Sequence, residues 1–143
     1  MKQFLVSICL LISVSSMAQE SSNIDSRLLL RFDAQYLEQI AEQQSQIIDQ
    51  LNFYLDHAYF VKSDVVFPQE KLQYFPDIFD YVIEGLSEEV LEDQLSEETF
   101  NVFCFDAPRA EKMSKAYRLG NTDKLIVLYS TQEFIKMYNE QRQ

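Results

Sequence analysis

His57 is the only histidine in the chain, and it sits in the run Asp56-His57-Ala58-Tyr59. A histidine serves as a general base when a carboxylate positions it. Asp56 is its immediate neighbour, and adjacent residues on a helix point in different directions. Neither Gly-x-Ser-x-Gly nor Cys-x-x-Cys occurs, so no serine or cysteine stands in a nucleophile motif. With a single histidine, a histidine-based zinc cluster cannot be assembled. Cys104 lies in the apolar run Val102-Phe103-Cys104-Phe105 and reads as a buried, inert thiol. Gly120-Asn121-Thr122 has too few glycines for a phosphate loop and reads as a tight turn. Residues 88–98 are the densest acidic run, yet they lack the alternating oxygen ligands and bend glycine of a calcium loop. No cofactor or metal is expected.

Carboxylates are the abundant reactive groups. The chain has 23 acidic and 12 basic residues and a net charge of −11. That field repels nucleic acid and anionic lipid and favours a basic partner. A pair of Asp or Glu residues can hydrolyse glycosidic bonds, but the sequence does not single out a pair. The other conspicuous side chains are aromatic. Phe53, Tyr54, Tyr59, Phe60, Tyr74 and Phe75 crowd the middle of the chain, and such residues supply large contact areas. They form the expected interaction surface, with core packing as the plainer use of the same rings.

These side chains need elements to hold them. Residues 1–18 have the layout of a secretory signal peptide: Lys2, an apolar run at 4–14, and small residues at Ser16 and Ala18 before a cut ahead of Gln19. The run is too short for a membrane span, and Cys9 lies inside it, poorly placed for lipidation. Residues 19–143 are expected to form one compact domain, frayed over 19–27. Two glycines and three prolines are too few for a sandwich or barrel of many short strands.

Residues 34–58 carry a broad apolar stripe at helical spacing, including Leu37, Ile40, Ile47, Leu51 and Tyr54. Asp33 suits an N-cap. The polar run 42–46 leaves open whether this is one helix or two. Residues 59–66 read as an edge strand, 100–105 and 115–119 as strands, and 124–129 as a central strand with both faces covered. Ser87 and Ser130 read as helix caps, the latter in a capping box with Glu133.

The expected fold is α+β: a long N-terminal amphipathic helix and shorter helices packed on a small, mainly antiparallel sheet. The helix face is expected to rest on 100–105 and 124–129. The expected function is non-enzymatic: an exported acidic protein, periplasmic or secreted in a bacterial envelope, that binds or scaffolds another envelope protein. A small envelope hydrolase using a carboxylate pair and a carrier of a small apolar ligand are the alternatives. A monomer or weak homodimer is expected, without nucleic acid and without stable membrane insertion after cleavage.

Overall fold

The computed structural model describes residues 23–143; the leader expected at 1–18 lies outside them. The fold is α+β, with helices around a three-stranded antiparallel sheet. No helix among the described residues is long and apolar enough to cross a membrane.

A 3₁₀ turn at Ser26–Leu30 opens the described chain, capped by Asp25, whose carboxylate accepts from the Arg27 N–H. Helix α1 spans Ala34–Gln43 and α2 spans Ser45–His57. Asp33 caps α1 by accepting from the N–H groups of Gln35 and Tyr36. The apolar stripe is therefore carried by two helices, broken at Gln44, whose φ of −147° and ψ of 65° leave helical space. The break falls in the polar run 42–46, whose residues are exposed. No burial there opposes the loss of helical hydrogen bonds.

Helix α2 passes directly into strand β1 (Tyr59–Lys62) through the buried Ala58. Strands β2 (Lys115–Arg118) and β3 (Leu125–Leu128) form a hairpin, and β3 lies between β1 and β2. The register sets Tyr59 opposite Leu128 on one side of β3 and Lys115 opposite Leu128 on the other. The hairpin turn needs Gly120, at φ +56°. A Cβ there would also meet Leu95 Cδ2 at 3.1 Å, so a larger residue combines strain with crowding. Short helix α3 (Glu88–Asp93) is capped by Ser87. Helix α4 (Thr131–Gln141) is capped by Ser130 and Glu133 in the expected capping box.

Residues 100–105 are not a strand. Val102–Cys104 form a 3₁₀ turn, capped by the Asn101 side chain, which accepts from the Phe103 N–H. An Asn able to bond its own downstream backbone offers the chain an alternative to a sheet ladder. What remains extended is a single bridge between Val82 and Phe105.

Two apolar clusters result. The larger lies on one face of the sheet: Ala58, Ile78, Phe100, Val102, Cys104, Phe105, Tyr117, Leu119, Ile126 and Leu128. The smaller joins Leu28, Leu37, Ile48 and Leu55. The α1–α2 face thus packs mainly on the 3₁₀ turn at Ser26–Leu30 and within itself, not on β3. Phe103 packs against both clusters. A buried polar pair reinforces the joint. Asn101 donates its N–H to Gln94 Oε1 at 2.6 Å and its side-chain amide to the Arg27 carbonyl at 2.9 Å. Gln94 donates in turn to the Val90 carbonyl. Each of these buried groups has a partner, as a low-dielectric interior requires.

Candidate binding cleft

The junction of the two clusters opens to solvent as a cleft of about 320 Å³. Phe32, Tyr54, Phe103 and Phe105 line it, with Val102 and Ala107, and Arg31 and Asp106 stand at its charged side. The Arg31 guanidinium meets the Asp106 carboxylate at 2.9 Å. Arg31 follows the first 3₁₀ turn, and Asp106 follows Phe105, where its N–H is pinned to the Tyr81 carbonyl at 2.7 Å. The rings hold one another: Phe32 meets Phe103 edge-on, with centroids 5.4 Å apart at 72°, and Tyr54 lies tilted against Phe103, 4.9 Å apart at 32°.

Behind Tyr54 lies Arg109. Its guanidinium carbon sits 4.6 Å from the Tyr54 ring and 5.6 Å from the Phe134 ring, a cation held over aromatic faces. One terminal nitrogen donates to the Ala58 carbonyl at 3.3 Å, while the buried Nε has no hydrogen-bond partner among the described residues. Burial pushes the Tyr54 hydroxyl above its ordinary pKa, and the charge of Arg109 partly offsets the rise. Tyr54 is therefore a neutral, half-buried wall of the cleft.

The aromatic residues singled out from sequence are distributed unevenly. Phe53 and Tyr54 come together against α4, with Phe53 stacked on His57 at 4.2 Å and edge-on to Tyr138 at 5.3 Å. Tyr59 points into the sheet core and donates its hydroxyl to the Phe100 carbonyl at 3.3 Å. Phe60, its neighbour in the strand, takes the opposite face beside Tyr129 and is 42% exposed. Tyr74 lies apart, 71% exposed, at the end of the 3₁₀ turn Gln69–Tyr74. Phe75 is half-buried against Phe67. Of these side chains, Tyr54 lines the cleft.

Compared with protein-family models, with curated proteins and with solved structures, the chain has no match. Its chemistry is read from its own geometry.

Cys104 is fully buried, and burial alone pushes its thiol up to about 11, so it stays protonated at neutral pH. Asp25 is held below the ordinary carboxylate range, chiefly by hydrogen bonds from Arg27. Glu133 is lowered by hydrogen bonds from Ser130 and Ser114. Both shifts run opposite to that of a carboxyl general acid, which must be raised. His57 is exposed at the end of α2. Among the described residues, no group of three or more His, Cys, Asp or Glu side chains could hold a metal ion. A second depression, at the α1–α2 break, is lined by Gln43, Gln44, Ser45, Gln46, Ile47 and Gln50; it offers neither charge nor rings.

Sequence reasoning missed Arg31, Phe32, Phe103, Asp106 and Arg109 as site residues. Arg31 and Asp106 lie far apart in the chain, and no local pattern links them. Phe32 and Phe103 are apolar rings in sequence, but nothing local marks either as part of a cleft.

Proposed function

We propose that the chain is an exported binding protein that engages an envelope protein through the cleft between its two clusters. The supporting observation is an open floor of rings, Phe32, Tyr54 and Phe103, beside the Arg31–Asp106 ion pair. Clustered aromatics beside an arginine are the composition of interface anchors. The cleft is small by the standard of ligand pockets, which run about 300–1,000 Å³, and it is open to solvent. A protruding partner side chain fits it better than an enclosed carried ligand. The acidic surface, net −11, adds attraction for a basic partner and speeds encounter.

The test places a photoreactive phenylalanine analogue at position 107, at the cleft, or at position 39, on the exposed side of α1, in the full chain at native expression. Irradiation of intact cells is expected to give discrete protein adducts in the envelope fraction from position 107 and not from position 39. Equal labelling from both positions, or a chain retained in the cytosol, would overturn the proposal.

A further inference from the structure

The hydrogen-bond pattern of the sheet determines which backbone groups face outward. The Tyr129 N–H donates to the Ala58 carbonyl at 3.0 Å, one step beyond the Tyr59–Leu128 pair. Bonded pairs alternate along an antiparallel ladder. Phe60 and Lys62 therefore bond to β3, while Tyr59 and Val61 direct N–H and C=O away from it. The same alternation runs on the other side of β3, where the Leu119 N–H donates to the Lys124 carbonyl. It places Ala116 and Arg118 on the outer edge of β2, and that edge is covered at Arg118. The Arg118 N–H donates to the Pro76 carbonyl at 2.9 Å, and its Nε donates to the Phe75 carbonyl. At β1, no backbone group among the described residues pairs with the outward groups of Tyr59 or Val61.

We propose that this outer edge of β1 takes an extended, basic segment of a partner protein as an added strand. Main-chain bonding to an open edge is an established mode of peptide capture. The edge is short and its limits are built in. The ladder resumes with the Val65 N–H on the Asp123 carbonyl, one residue out of step, and Asp64 sits at φ +57° in the resulting bulge. The charges around the edge select the occupant. Asp56 and Asp64 are exposed on either side of β1. Arg27 is shared between Asp25 and Asp56, leaving that group net negative. Lys62 is the one cation on the strand. A second copy of this chain would bring one net charge of −11 against another; a basic segment meets the opposite sign. Phe60, with Tyr129 5.3 Å away, offers an apolar platform for a side chain of the added strand.

This proposal is independent of the cleft. It is tested by amide hydrogen exchange on the full chain, with an alternating Lys-Val octapeptide as probe and a Glu-Val octapeptide as control. In the free chain, Tyr59 and Val61 are expected to exchange about tenfold or more faster than Phe60 and Lys62. The Lys-Val peptide should slow Tyr59 and Val61 by about tenfold, and the Glu-Val peptide should not. Val61→Pro deletes an outward donor while leaving the β1–β3 ladder intact, so it should abolish this protection. Prior protection in the free chain would overturn the proposal, and dependence of that protection on protein concentration would point instead to a second copy. Equal protection by both peptides, or protection that survives Val61→Pro, would also overturn it. Arg31→Glu, which perturbs the cleft alone, should leave the exchange pattern unchanged.

Discussion

The side chains buried around the sheet come from residues spread between 58 and 128, whereas those buried in the helical region come from the single stretch 28–55. The sheet cluster is held by contacts distant in sequence and contains two rings stacked nearly parallel, Phe100 and Phe105, 5.3 Å apart. The helical cluster is local, smaller and built from aliphatic residues. Local contacts form quickly but bury little here, while distant contacts form slowly and bury more. The helical region therefore leans on the sheet region through Phe103 and Asn101, and the cleft lies along that dependence.

The largest test of this asymmetry is Phe100→Ala. Removing a buried ring from the sheet cluster should cost about 3–5 kcal/mol and lower the urea midpoint of the whole molecule. Leu55→Ala, in the smaller cluster, should cost about 2–4 kcal/mol. Its signature differs: amides of α1 and α2 should lose protection from exchange before those of β3. Simultaneous loss in both regions would show the two clusters to be a single cooperative unit. Asn101→Ala removes the cap of the 3₁₀ turn and the bond to the Arg27 carbonyl, and is expected to cost about 1–3 kcal/mol. The helical region should again be the first to loosen. Ser130→Ala deletes the α4 cap at a cost of about 1 kcal/mol, read as a small shift in melting temperature without any change in α1 or α2.

The smallest effect is that of pH. Asp25 serves the helical side and Glu133 the sheet side, and both have folded pKa values below their ordinary values of 3.8 and 4.5. When the folded pKa is the lower, the unfolded chain binds protons first on acidification. The stability these groups contribute is thus complete above their ordinary values and is lost as pH falls through the folded ones. Urea titrations from pH 6 down to about pH 3 should show the decline, with a shallower slope in Asp25→Asn and in Glu133→Gln.

Strands β2 and β3 were legible from the turn residues 120–123 between them, and β1 from its aromatic and β-branched run Tyr59-Phe60-Val61. The caps at Asp33, Ser87 and Ser130 were legible because each acts on backbone two or three residues away. Legibility failed where the deciding partner is distant. Residues 100–105 have strand-like composition, but Asn101 is tied to Gln94 and Arg27, and its side chain turns the backbone into a 3₁₀ turn. The apolar stripe of 34–58 showed where a partner was needed without showing that Leu28 would supply it. The cleft sets Arg31 against Asp106, far apart in the chain, and no local pattern encodes that contact.

The passage from α2 to β1 through Ala58 leaves no slack. The Ala58 side chain is fully buried, and its carbonyl receives both the Tyr129 N–H and the Arg109 guanidinium. A load applied along α2 would cross this clamped elbow to the ladder between Tyr59 and Leu128 without being absorbed by a loop. Under mechanical traction, the helix and the sheet edge should yield together, so that stretching the N-terminal half registers as force on the strand rather than as extension of a linker.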